Sequence, residues 1–162
     1  MSDNTAMFDA LLDEVKSIAD SDGDMPGTAK AHAVCDLLRD CVPHYDWVGF
    51  YLVASEGSPD SPRELVLGPF AGEPTDHVRI PFGRGICGQA AEREETFVVQ
   101  DVSKETNYLS CSVHVKSEIV LPMFRDGVLV GELDIDSHTL APFTRADQKF
   151  LEAVCEVAAK LF

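Results

Sequence analysis

The residues of this 162-residue chain with redox potential are its five cysteines, Cys35, Cys41, Cys87, Cys111 and Cys155. An odd count spread through the chain argues against a structural disulfide framework. No CxxC pair occurs, so no structural zinc site is expected and no metal is assigned. Cys35 and Cys41 fall on an apolar helical stripe with Ala31, Val34, Leu38 and Val42, and read as small buried hydrophobes. Cys155 borders the stripe of a final helix and reads as packing. Cys87 and Cys111 remain as the thiols to weigh for chemistry. His114, three residues from Cys111, could lower its thiol pKa, although a solvated loop histidine is the more ordinary reading.

A second group is acidic. Alternation along a strand puts Glu132, Asp134 and Asp136 on one face and Leu133 and Ile135 on the other. The same rule puts Trp47, Gly49, Tyr51 and Val53 together, opposite Val48, Phe50 and Leu52. If the aliphatic faces meet helices, the other face carries Trp47, Tyr51, Asp134 and Asp136. A solvated sheet face would account for either acid alone. The hairpin turn decides whether Glu118 joins them. A two-residue Asp126-Gly127 turn pairs Arg125 with Val128, sets Glu118 opposite Ile135 and aims it at the helices, which is costly for an unpaired charge. A three-residue loop, Arg125 to Gly127, pairs Phe124 with Val128 and Glu118 with Asp134. It also places Ile119, Leu121 and Met123 on the aliphatic face, and is the register expected. Three crowded carboxyls should raise at least one pKa. Such a site could grip a cation and donate a proton.

The elements that must position these groups follow from periodicity. Residues 6–20 and 28–42 have helical spacing, with Thr28 as cap and Pro43 as stop. Strands are expected over 47–53, 64–70, 77–81 and 96–101, with a polar turn over 55–63. Gly83-Arg84-Gly85 opens a short helix over 86–93. Residues 103–116 read as a polar loop, and 118–124 with 128–136 as the last hairpin. Thr144 and Asp147 fit a capping pattern for a helix to Phe162. The class is α+β: a central antiparallel sheet, terminal helices on one face and a ligand pocket on the other. The expected organisation is one domain over 1–162, with N-terminal helices over 1–42, sheet and pocket over 46–137 and the C-terminal helix over 144–162. The glycine loop could also cradle an anion, although it lacks the Lys-Ser/Thr of a P-loop; amides around Ser110 and Cys111 are an alternative cradle for a carboxylate.

Composition narrows the partners. Asp and Glu number 28 against 13 Lys and Arg, a net charge of −15. That disfavours nucleic acid and anionic membrane as partners. No apolar run approaches the ~18 residues of a membrane span, and the acidic start lacks the form of a signal peptide, so a cytoplasmic protein is expected. The acids are spread along the chain, a pattern that fits a salt-adapted, halophilic-type surface; an ordinary acidic protein is the plainer reading.

Five stretches together resemble the free methionine-(R)-sulfoxide reductases, a family of GAF-domain proteins. They are Asp46-Trp47-Val48-Gly49-Phe50-Tyr51-Leu52, Leu65-Val66-Leu67-Gly68-Pro69-Phe70, Val78 through Gly88, Ser117-Glu118-Ile119-Val120-Leu121-Pro122 and Leu133-Asp134-Ile135-Asp136-Ser137. The resemblance spans most of residues 46–162. It implies a GAF fold and a thiol reductase of free methionine sulfoxide, with no bound cofactor and a thioredoxin-like protein as reductant. It implies Cys111 as nucleophile, Trp47 and Tyr51 as walls around the methyl-sulfur end, and Glu118, Asp134 and Asp136 as the groups that bind the ammonium and handle the sulfoxide oxygen. One position departs from the pattern: many members carry a resolving cysteine ten residues before Cys87, where this chain has His77. Cys87, 24 positions before Cys111, is then the resolver, with direct reduction of a sulfenic acid from solution as the alternative. His77 reads as structural or solvent-facing. A sensory GAF module without catalysis is the competing expectation, one that would call for an attached output domain. The sequence leaves the oligomeric state open, a homodimer included.

Overall fold

A computed structural model describes residues 4–54, 63–109 and 112–162. The turn expected over 55–63 falls almost entirely outside them, and so do Ser110 and Cys111. Six strands form one antiparallel sheet: β1 (Trp47–Val53), β2 (Glu64–Ala71), β3 (Arg79–Pro81), β4 (Phe97–Val99), β5 (Ser117–Arg125) and β6 (Val128–Ser137), in the order β3-β2-β1-β6-β5-β4. The helices are α1 (Asn4–Ala19), α2 (Gly27–Cys41), α3 (Gly85–Arg93) and α4 (Arg145–Ala158).

The aliphatic face of the central strands does what its alternation requires. Val48, Phe50, Ile119, Leu121, Leu133 and Ile135 pack under α1, α2 and α4, joined by Phe8, Leu38, Leu151 and Val154. Each buried side chain of this size contributes about 1.5–3 kcal/mol, so this layer is the main source of stability. The opposite face is covered by α3 and carries a separate cluster around Trp47, Tyr51, Ile86, Cys87 and Val120.

The helix ends are partly as expected. Thr144 and Asp147 form a reciprocal capping box on α4. Thr28 does not cap α2, which begins one residue earlier after Pro26 with no side-chain cap. Cys41 is exposed at the end of α2, and Val42, just beyond it, is buried instead. The edge strands are shorter than the apolar runs suggested, because β3 and β4 each find only three partner residues. The 103–116 stretch opens with a turn of 3-10 helix, Val102–Lys104, capped by the Asp101 side chain.

The last hairpin corrects the expected register. The turn has two residues, with Asp126 at φ 52° and Gly127 at φ 78°, so Arg125 pairs with Val128. This is the left-handed pair that matches strand twist. The register then shifts, because Phe124 pairs with Leu129 and Met123 with Gly131, leaving Val130 as an extra residue in β6. The two-residue turn alone would set Glu118 opposite Ile135; the bulge moves it one residue on, opposite Asp136, where the longer loop would have paired it with Asp134. Glu118 still faces the pocket, but through a bulge and not through a longer turn.

Candidate active site

β6 sets its acids in a row because alternate residues of a strand face the same way. Asp136 lies between Trp47 of β1 and Glu118 of β5, Asp134 between Gly49 and Val120, and Glu132 between Tyr51 and Pro122. All four acids are buried, Glu132 completely. The aromatic wall is fixed from β1. Trp47 stacks on Phe70 at 5.5 Å between ring centres and lies 6.3 Å from Tyr51. Gly49 leaves the space the indole fills, since a side chain there would run into the Trp47 ring. The indole N–H donates to the Glu73 carbonyl (2.9 Å), and the Tyr51 hydroxyl donates to the His77 carbonyl (2.9 Å). Both rings therefore keep their polar edges satisfied while presenting apolar faces.

Cys87 hangs from α3 onto this row. Its thiol donates to Glu118 Oε2 at 3.8 Å. Burial pushes its pKa well above the usual thiol value, and the charges of Asp134, Glu132, Glu118 and Asp136 push it further. The acids respond in the same sense. Burial raises Asp134, opposed by hydrogen bonds with Glu118 and Cys87. Burial and Asp134 raise Asp136 and Glu132. Among the described residues, Asp134 Oδ1, Asp136 Oδ2 and both Glu132 oxygens have no partner within ordinary hydrogen-bond distance. Each of these shifts favours the protonated form of the carboxyl over the charged one.

The loop that leads toward Cys111 is pinned to α3 by Asn107. Its side chain accepts from the Gly85 N–H and donates to the Gly83 carbonyl, both at 2.8 Å, while Gln89 donates to the Asn107 carbonyl at 3.0 Å. Gly85 has φ 66°, and a side chain there would press on Leu109. This arrangement overturns the anion-cradle reading of Gly83-Arg84-Gly85. Its three amides already donate, to Gly88 O, Pro81 O and Asn107 Oδ1.

Two small cavities flank the row. One of about 10 Å³ lies among Tyr51, His77, Arg84, Cys87, Glu118 and Asp134. The other, about 80 Å³, lies among Trp47, Glu73, Ser112, Asp136 and His138. A roomier groove of about 390 Å³ between α1 and α4 has no thiol or buried acid in its lining, so it is not the site.

The structure brings Trp47, Tyr51, Cys87, Glu118, Asp134 and Asp136 together. Cys111 lies outside the described residues. His114 is exposed, with its ring 5.9 Å from that of His138. His77 is half-buried beside Cys87, at the edge of the smaller cavity. Cys35 and Cys155 are buried, with thiol pKa values raised chiefly by burial, as suits packing residues. Two contributors were not assigned from the sequence. Glu132 was visible by alternation, but its burial depends on α3 lying across the sheet. Asn107 sits in a stretch with no periodicity to mark it.

The GAF domain profile matches residues 28–161. The chain is 39% identical over 117 residues to the free methionine-R-sulfoxide reductase of Saccharomyces cerevisiae, covering 71% of this chain and 62% of that one. It superposes with a TM-score of 0.87 on the free methionine-R-sulfoxide reductase of Neisseria meningitidis in complex with its substrate, at 37% identity, covering 100% of this chain and 92% of that one. A putative GAF sensor protein from Burkholderia vietnamiensis is similar to nearly the same extent, with a TM-score of 0.86 and 33% identity over 98% of this chain and 95% of that one.

Proposed function

This chain belongs to the GAF-domain family, among the free methionine-(R)-sulfoxide reductases, and we propose that it reduces free methionine (R)-sulfoxide to methionine with its own thiols. The observation that carries the reading is the buried row Glu118, Asp134 and Asp136 set beside Trp47 and Tyr51, with the Cys87 thiol on Glu118. Carboxyls with raised pKa values suit both halves of such a substrate. An ionised one pairs with the α-ammonium, and a protonated one donates to the sulfoxide oxygen as charge develops on it. The aromatic faces take the apolar methyl-sulfur end.

In the proposed sequence the Cys111 thiolate attacks the sulfoxide sulfur and the oxygen passes to Cys111 as a sulfenic acid. The substrate sulfur gains two electrons and Cys111 loses two. The Cys87 thiol then gives its proton to Glu118, and its sulfur attacks Cys111. The Cys111–oxygen bond breaks, the hydroxyl leaves as water after taking a proton, and a Cys87–Cys111 disulfide remains. A thioredoxin-like dithiol restores both thiols by exchange, with no bound cofactor in the cycle. His77 at the position of the usual resolver makes Cys87 the natural second thiol.

A second reading, a sensor that binds a small ligand without changing it, is favoured by the Burkholderia neighbour. Mixing fully reduced protein with one equivalent of free methionine (R)-sulfoxide separates the two. Methionine formed in proportion to protein, without added reductant, supports the reductase. Saturable binding with no methionine formed supports the sensor.

A further inference from the structure

We propose that Cys87, Glu118 and Asp134 form a binding site for a thiophilic divalent cation, with Zn²⁺ as its ligand. One donor atom from each lies within 4.8 Å of the other two, and all three residues are buried. Cys87 Sγ is already 3.8 Å from Glu118 Oε2. Donors on a tetrahedral zinc, at the usual ~2.0–2.3 Å from the ion, stand roughly 3.3–3.8 Å apart. Closing the triangle onto an ion therefore takes about an ångström of side-chain movement.

An independent feature shows that a cation suits this place. Glu132 is completely buried, and among the described residues neither of its oxygens has a partner within ordinary hydrogen-bond distance; it faces the same space, where burial and Asp134 raise its pKa and the nearby Cys87 thiol opposes that shift. Asp134 and Asp136 also each hold a buried oxygen that has no partner among the described residues. Among the described residues no Lys or Arg forms an ion pair with Glu132, Asp134 or Asp136. An ion with two positive charges would answer this surplus of buried acceptors. The thiol selects the metal: Ca²⁺ and Mg²⁺ take oxygen ligands, whereas thiolate with carboxylate suits Zn²⁺. The ligands come from α3, β5 and β6, so no CxxC spacing announces the site.

An ion here occupies carboxyls that the reductase reading gives to the substrate ammonium, so on that reading zinc competes with substrate. Binding itself does not depend on that reading. A chain that binds zinc and reduces nothing would refute the reductase and leave the site standing.

The test uses the full chain, reduced, kept anaerobic and freed of metal by chelation. Zn²⁺ is titrated by calorimetry, and Co²⁺ by near-ultraviolet absorption. The expected result is one ion per chain, a thiolate-to-cobalt band, and at least a tenfold loss of affinity in both Cys87→Ser and Asp134→Asn, with Cys41→Ser unchanged. No Zn²⁺ binding, or full affinity in folded Cys87→Ser, overturns the proposal. If these variants do not fold, the wild-type chain decides. Anomalous scattering from zinc-soaked crystals should place the ion on Cys87 Sγ, and an ion elsewhere overturns the site.

Discussion

The Cys87 thiol is held in its protonated form by burial and by four neighbouring acids, which is the wrong state for a first attack on a sulfoxide. Its hydrogen bond to Glu118 offers a base for a later step. This asymmetry gives a prediction for the two thiols. Cys111→Ser should abolish even a single turnover, since the attacking atom is gone. Cys87→Ser should still reduce about one equivalent, leave Cys111 as a trappable sulfenic acid, and turn over slowly with a thioredoxin-like reductant. Mass spectrometry of the wild-type chain after one equivalent of substrate should find a Cys87–Cys111 disulfide; pairing of Cys111 with Cys35, Cys41 or Cys155 would defeat the assignment. Glu132 carries a separate prediction. Among the described residues neither oxygen of its buried carboxyl has a partner within ordinary hydrogen-bond distance, and its pKa is raised by burial and by Asp134, with the nearby Cys87 thiol only opposing the shift. The folded state therefore keeps a proton that the unfolded chain releases, and stability falls as pH rises above the ordinary Glu value of about 4.3. Glu132→Gln should relieve that loss, making the variant more stable at pH 7 by roughly 1–3 kcal/mol, the scale of an unsatisfied buried group. Urea unfolding should show this advantage shrinking toward pH 4; a variant no more stable than wild type at pH 7 would contradict it.

At the scale of elements, two connections hold the site in shape. Asn107 ties the stretch before residue 110 to the start of α3. Asn107→Ala removes two side-chain hydrogen bonds, at about 1 kcal/mol each. Hydrogen exchange should then speed up at the Gly85 amide while the β6 amides keep wild-type rates, and kcat/KM should fall. Unchanged exchange at Gly85 would show that the tie does not matter. On the far side, Asp147 accepts from Tyr45 at 2.8 Å and from Thr144, and lies 2.6 Å from His44 Nε2. Burial alone would raise its pKa, but these hydrogen bonds, His44 first, hold it below the ordinary value. Its contribution to stability is therefore present above the unfolded value of about 3.9 and is lost as pH falls through the lower folded value. Asp147→Asn should destabilise the fold at pH 7, with the gap closing in strong acid. The strands and helices were legible because their periods of 2 and 3.6 survive in β1, β6, α1 and α4. The face of Glu118 was legible for the same reason, but its partner was not. A turn and a bulge each shift pairing by one residue, and the Val130 bulge has no glycine or proline at its extra position to announce it. Cys41 shows the limit of a helical stripe, since the last residue of a helix can rotate past the core that the stripe defines.

Across the whole molecule, charge is divided between two environments. Glu118, Glu132, Asp134, Asp136 and Asp147 are the buried acids among the described residues, so most of the 28 acids lie elsewhere and the net charge of −15 is mainly a surface property. If self-repulsion of that surface is the cost, screening should relieve it. The thermal midpoint should rise as KCl goes from about 0.1 M, where the Debye length is near 10 Å, to 1 M, where it is near 3 Å; a flat or falling midpoint would remove salt adaptation and leave the site reading intact. Among the described residues no helix is long and apolar enough to cross a membrane. The helix layer supplies the stability, and the sheet's other face, covered by α3, carries the buried acidic row with its two small flanking cavities. The central claim is that this pocket recognises a free α-ammonium and presents the attached sulfoxide to a thiol. The most direct measurement compares kcat/KM for free methionine (R)-sulfoxide with that for its N-acetyl form, using thioredoxin-coupled NADPH consumption. Acylation removes the charge that the buried carboxyls would bind and leaves them unanswered, so the free form should be preferred by at least a hundredfold, or about 2.7 kcal/mol. Comparable values for the two forms would contradict the account.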